Sequence, residues 1–148
     1  MIAFDTNILF PFVVSDHPDH DAVGEFIQGL DGRDDVALSE FVLVELYGLL
    51  RQPAVMRRVL DARAAAAVCS ALRAQPQWRL RGFPADSAAL HRAMWEHAAK
   101  PGFSRRRIYD ARLGLSLVAQ GVREFATVNL KDFAGLGLRP STLSGLST

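Results

Sequence analysis

The chain has one cysteine, two lysines, no excess of either charge and no long apolar run. Each scarcity excludes something. With Cys69 alone, neither an intramolecular disulfide nor a thiolate zinc centre can form, which points to a reducing compartment, with the cytoplasm as the expectation. No apolar stretch approaches the ~18 residues of a membrane span. The opening MIAFDTNILFPFVV lacks a basic leader and carries Asp5 within its apolar stretch, so it reads as mature structure with no membrane partner. Seventeen Lys+Arg against 16 Asp+Glu leave a net charge of +1, too little to grip duplex nucleic acid by bulk electrostatics, so a local site must do any such work. The absence of GxGxxG and GxxxxGK[ST] removes dinucleotide and P-loop readings.

What is present is 148 residues, 49% of them apolar, without repeat, low-complexity tract or linker. That predicts a single domain over residues 1–148, long enough to bury about two-thirds of its unfolded surface without staples. Strands are expected at Met1–Thr6, Val36–Leu38, Trp78–Leu80 and Glu124–Val128, with another from Leu138 onward. Between them the spacing predicts helices near Ile8–Val14, from Ser15–Pro18 to Gly29, from Ser39 to Leu50, over Asp61–Ala74, after Asp86, and from Ser104 to Gln120 with Gly121 closing it. In the helix after Asp86, Leu90, Met94, Trp95 and Ala98 are expected on one face. Alternating strands and helices imply parallel βαβ units, hence a three-layer α/β fold around a mostly parallel sheet of four or five strands. Ligands of such sheets bind beyond the carboxyl ends of the strands, where the strand order reverses.

Several acids fall where that rule looks. Asp5 ends the first strand and is followed by Thr6 and Asn7, although the triplet would also serve as a helix cap. Glu45, within FVLVELYGLL, is expected between Val42 and Leu49 on an apolar stripe, where a carboxylate needs a cation, a hydrogen-bonding partner or a buried arginine. Asp110 precedes Leu113, Leu117 and Gln120 at helical spacing, and a first-turn acid favoured by the helix dipole is the plainer account of it. Asn129 and Asp132 follow the strand ending at Val128, where an Asx turn would explain them equally well. Taken together they say more than singly. Carboxylates gathered in one cleft repel, and they make sense mainly around a hard divalent cation with oxygen ligands, Mg²⁺ or Mn²⁺. Without histidine in the set, zinc fits less well.

On these motifs, Asp5-Thr6-Asn7, Glu45 in VLVELYGLL, Asp110 in RRIYDARLG and Asn129 to Asp132 in TVNLKDF, the chain resembles a PIN domain, specifically the toxin of a VapBC-type toxin–antitoxin pair. The resemblance spans nearly the whole chain. It implies a metal-dependent endoribonuclease with Asp5, Glu45, Asp110 and Asp132 as the acidic set around Mg²⁺ or Mn²⁺, supported by Thr6 and Asn129. It also implies a VapB-type antitoxin as partner, an RNA substrate and a homodimer, for which the apolar faces around Phe41 and Leu60 would serve. The ending GLRPSTLSGLST is more polar than such a family's usual last strand, which puts that strand in question. A PIN-like module that binds RNA or protein without cutting is the alternative, and loss of an acid would favour it. A receiver-type acidic pocket would need a lysine beside its acids, and only Lys100 and Lys131 exist.

Other candidates are plainer. Arg105, Arg106 and Arg107 precede Asp110 in the expected helix, near enough to grip phosphates flanking a cleaved bond, or simply solvated there. His17 and His20 in SDHPDHD look like metal ligands, but Asp16 and Pro18 read more naturally as a helix start. Trp78 and Trp95 are expected in the core or an interface rather than as stacking platforms for bases.

Overall fold

The computed structural model describes residues 1–143. In chain order it runs β1 (Ile2–Phe4), α1 (Thr6–Val13), α2 (His20–Gln28), β2 (Val36–Ser39), α3 (Glu40–Leu50), α4 (Ala62–Arg73), β3 (Trp78–Arg81), α5 (Ser87–Ala98), α6 (Arg107–Ala119), β4 (Glu124–Ala126), α7 (Leu130–Phe133) and β5 (Arg139–Ser141). The two strands β1 and β2 are apolar runs buried throughout, as strands of a parallel sheet covered by helices on both faces require, while the outer strands β3 and β5 are partly exposed. Polar residues start the helices. Asp5, Ser39, Asp61 and Asp86 each place a side-chain oxygen on an otherwise unpaired N–H in the first turn of α1, α3, α4 and α5.

The five strands are all parallel, in the order β3-β2-β1-β4-β5, with Ile2 beside Val36 on one side and Glu124 on the other. From β1 the chain steps through β2 to β3, then crosses back to β4 and continues outward to β5. Right-handed crossovers taken in opposite directions put their helices on opposite faces of a sheet. The packing follows suit: α1 packs on α2 and α3, α3 on α4, while α5 packs on α6 and α6 on α7. Between them lies a core whose fully buried members include Phe4, Ile8, Leu9, Leu38, Leu46, Leu117, Phe125 and Phe133.

Several expectations need correction, beginning with the strand expected over Met1–Thr6, which spans Ile2–Phe4 because Asp5 caps a helix that already holds Thr6. The helix expected from Ser104 begins at Arg107, with Ser104 to Arg106 in the turn before it. Strand β4 ends at Ala126, and Val128 is exposed beyond it. Trp95 is 62% exposed although Leu90 and Met94 on the same helix are buried, because position 95 lies one residue, about 100°, past the buried edge. Trp78 does belong to the core margin, edge-on to Phe4. The polar tail nevertheless supplies β5, since an edge strand needs only backbone pairing on one side, here with β4.

Candidate active site

The strand order reverses between β1 and β4, which makes the crevice beyond their carboxyl ends the expected binding place. Asp5 follows β1 and Thr127 follows β4. Both are buried, and the Thr127 hydroxyl donates to Asp5 Oδ2 at 2.6 Å. The Asn7 amide donates to the same oxygen at 2.7 Å, and the Thr6 backbone N–H donates to Oδ1 at 2.8 Å. The Asp5 N–H itself donates to the Ala126 carbonyl at 2.9 Å, so this carboxylate is held from both strands. The Thr127 hydroxyl also accepts from Asn7 Nδ2 at 3.2 Å and from the Asn129 N–H at 3.0 Å, while Asn7 Oδ1 accepts from the Val128 N–H. Asn7 and Thr127 are thus site residues that the sequence reading left out of its supporting set. The signal existed, since Thr127 is the polar residue directly after an apolar strand, the same pattern that marks Asp5.

Glu45 sits differently from expectation. It is exposed, not on the core-facing stripe: the buried positions of α3 are Val42, Leu43, Leu46 and Leu50. The segment FVLVELYGLL is apolar nearly all round, with Val44 72% exposed, so periodicity could not say which side faces inward. Its Oε2 accepts from the Thr6 hydroxyl at 2.8 Å, which ties α3 to the start of α1 at the cleft mouth. Asp110, in the first turn of α6, is half-buried and makes no side-chain hydrogen bond among the described residues. Asp132 lies in α7, whose end is clamped by Arg107: Nε donates to the Asp132 carbonyl at 3.0 Å and Nη2 to the Ala134 carbonyl at 2.9 Å. Of the other arginines, Arg106 lines a cavity beside Glu45 and Asp110, and Arg105 is exposed in the turn before α6.

The acids act on one another. Burial pushes the Asp5 carboxyl up to about 6, against the hydrogen bonds from Thr127 and Thr6, and the charges of Glu45 and Asp110 add to the rise. Asp110 is likewise pushed up to about 6, first by burial and then by Asp132 and Glu45, with Arg107 opposing. Asp5, Thr6, Asn7, Glu45, Asp110 and Asn129 line one cleft of about 470 Å³. Among the described residues no three His, Cys, Asp or Glu side chains are already drawn together tightly enough to hold an ion. The donor set still fits a hard cation, because it is all oxygen, its anchored member carries a penalised charge, and Glu45 and Asp110 line the same cleft as Asp5. The SDHPDHD motif splits. His20 Nδ1 pairs with the Pro11 carbonyl at 2.9 Å, whereas His17 lines the acidic cleft with its ring edge-on to Phe10 and its Nδ1 accepting from the Asp19 N–H.

Residues 2–112 match the PIN domain family, and over 137 residues the chain is 44% identical to Ribonuclease VapC24 of Mycobacterium tuberculosis, covering 93% of this chain and 92% of the relative. The chain belongs to the PIN-domain family, in its VapC branch. Solved structures share the fold at lower identity. One is the sarcin-ricin loop cleaving toxin VapC20 of Mycobacterium tuberculosis (20% identical, TM-score 0.63, 84% of this chain and 87% of that one). Another is VapBC from Salmonella typhimurium bound to DNA (18%, TM-score 0.66, 95% and 96%). A third is VapBC2 of Rickettsia felis on a promoter DNA fragment (18%, TM-score 0.66, 97% and 100%). PIN-domain ribonucleases are generally metal-dependent, which is the class of chemistry this acidic cleft accommodates. No helix among the described residues of this PIN domain is long and apolar enough to cross a membrane.

Proposed function

We propose that this PIN domain, an endoribonuclease toxin of a type II toxin–antitoxin pair, hydrolyses RNA phosphodiester bonds with Mg²⁺ or Mn²⁺ held by Asp5, Asp110 and Asp132. The observation that carries the residue assignment is the penalised charge on Asp5 and Asp110: two carboxylates from different elements, both pushed up to about 6 first by burial and then by neighbouring acids, lining one cleft at the switch point of the sheet. When bound, such an ion supplies a nucleophilic water at neutral pH and charge for the scissile phosphate and the leaving oxygen. Asp5 is the fixed point, because three donors hold its oxygens in place. Glu45 gives one oxygen to the Thr6 hydroxyl and keeps the other for the attacking water, which it orients and deprotonates. Asn129 and Thr6 position the acids, and Arg106 meets the phosphates flanking the cleaved bond.

The same reading assigns a VapB-type antitoxin as inhibitor, a cytoplasmic location, one domain over the whole chain and a homodimer that would cover the exposed Val44 and Tyr109 beside Phe41. The non-catalytic alternative gains nothing from the chain, as all four acids are present. The test is cleavage of a single-stranded RNA by purified protein with Mg²⁺, with Mn²⁺ and with EDTA, in parallel with Asp110→Asn. Cleavage that requires the cation and falls at least about a hundredfold in the variant is expected. Undiminished cleavage in EDTA would overturn the mechanism.

A further inference from the structure

A smaller cavity of about 230 Å³ is walled by His97, Lys100, Gly102, Phe103, Arg107 and Gly135. No carboxylate among the described residues lines it. Lys100 and Arg107 form no ion pair among the described residues. The Lys100 ammonium instead meets His97 Nδ1 at 3.3 Å, and the Arg107 guanidinium stacks over Phe103 while its fork holds the carbonyls of Asp132 and Ala134. Gly102 and Gly135 both turn with φ near +77°, and their amide nitrogens donate to no acceptor among the described residues. The described lining therefore brings together an ammonium and a guanidinium, each bound only to neutral partners, with no carboxylate beside them. Its positive field is felt by His97, whose pKa is lowered by burial and then by Lys100 and Arg107, with only Glu96 opposing. Small size and two cations without a carboxylate are the chemistry of a single phosphate site.

Its position gives it a use. Arg107 lines the cavity, stands one helical turn before Asp110 on α6, donates to the Asp132 carbonyl in α7 and lowers the Asp110 carboxyl by its charge, so one side chain connects the cavity to the acids. Resting on the ribonuclease reading above, we propose that this cavity holds a backbone phosphate of the RNA next to the one being cleaved, with Lys100 as its charged contact and Arg107 joining the two sites. It offsets the repulsion that the four acids exert on an incoming polyanion and fixes the register of the strand across the cleft. The charged contacts the cavity offers, Lys100 and Arg107, address the phosphate and not the base attached to it.

The experiment measures steady-state cleavage of a single-stranded oligoribonucleotide by the intact protein with Mn²⁺ across a salt series, for parent, Lys100→Ala, Lys100→Arg and, as a control outside the cavity, Arg63→Ala. The same RNA is followed by fluorescence anisotropy in EDTA. Lys100→Ala is expected to raise KM about five- to tenfold with kcat within twofold, and to flatten the salt dependence of kcat/KM by about 0.7 in the log–log slope, one phosphate contact on a single strand. Lys100→Arg should restore both, and Arg63→Ala should change neither. A dinucleotide with a single phosphodiester, which cannot reach the cavity from the cleft, should be cleaved equally by parent and Lys100→Ala. If the parent cleaves but Lys100→Ala keeps its KM and salt slope, the cavity is no phosphate site and the ribonuclease reading survives. If the parent cleaves nothing, that reading fails, and anisotropy still decides the cavity: equal affinity in parent and Lys100→Ala overturns it, and weaker binding in the variant supports it.

Discussion

Thr127 shows how much one hydroxyl can organise. It donates to Asp5 and accepts from Asn7 and from the Asn129 N–H, so it links the ends of β1 and β4 through the carboxylate at their junction. Replacing it with valine keeps the shape and removes all three bonds, leaving a buried carboxylate short of a donor that favours its charged form. The Asp5 carboxyl should then rise further above its present value near 6. Thr127→Val is expected to lower kcat/KM at pH 7 by roughly 10- to 100-fold, the loss of a charge-assisted hydrogen bond of ~1.5–3 kcal/mol. It should also move the acidic limb of the pH–rate profile to higher pH, with Thr127→Ser restoring both. An unshifted acidic limb in the valine variant would show that the hydroxyl does not act through Asp5.

At the scale of elements, the site depends on helix starts. Asp5 caps α1, Ser39 caps the α3 that carries Glu45, and Asp110 lies in the first turn of α6, where the positive end of the helix favours a carboxylate. The cap of α4 offers a clean contrast, because Asp61 accepts from the Ala64 N–H at 2.7 Å far from the acids in sequence and lines none of the cavities around them. Asp61→Ala should destabilise the fold by ~1 kcal/mol, or about 2–4 °C in melting temperature, while RNA cleavage at 25 °C stays unchanged. Calorimetry and the cleavage assay on the same preparation check the pair. Lost activity at full stability would mean that α4 serves the site in a way its cap does not explain.

For the molecule as a whole, the acidic cleft exacts a cost in stability without a cation. Asp5 has a native value near 6 against 3.8 unfolded, so the native state holds its proton more tightly. The sign follows from linkage: this contribution is fully present below pH 3.8 and is lost as pH rises through about 6. For the well-buried Asp5 that amounts to ~3 kcal/mol lost by pH 7. Asp110 acts in the same direction, reduced by its partial exposure. In EDTA, the melting temperature of the parent relative to Asp5→Asn should therefore rise as pH falls from 7 to 5, since the variant carries no charge there. Thermal melts of both proteins across that range measure it. Parallel curves would mean that the Asp5 carboxyl is not penalised in the native state.

The order of elements, the parallel sheet and the places of Asp5, Asp110 and Asp132 are legible in the sequence, because they rest on local chemistry. Apolar runs too short to be anything but buried strands, polar caps and glycine stops each act within a few residues of themselves. The strand order β3-β2-β1-β4-β5 is decided only by tertiary structure, and with it the pairing of Asp5 with Thr127 across 122 positions, because nothing local tells β4 which strand to lie against. The outward turn of Glu45 was decided there too: α3 is apolar nearly all round, and only packing against α1 and α4 selects which side is buried. The commitment of Arg107 to the carbonyls of Asp132 and Ala134 belongs to the same class. A guanidinium takes whatever acceptors the fold brings within reach, and here α6 and α7 bring backbone carbonyls together from 25 and 27 residues away.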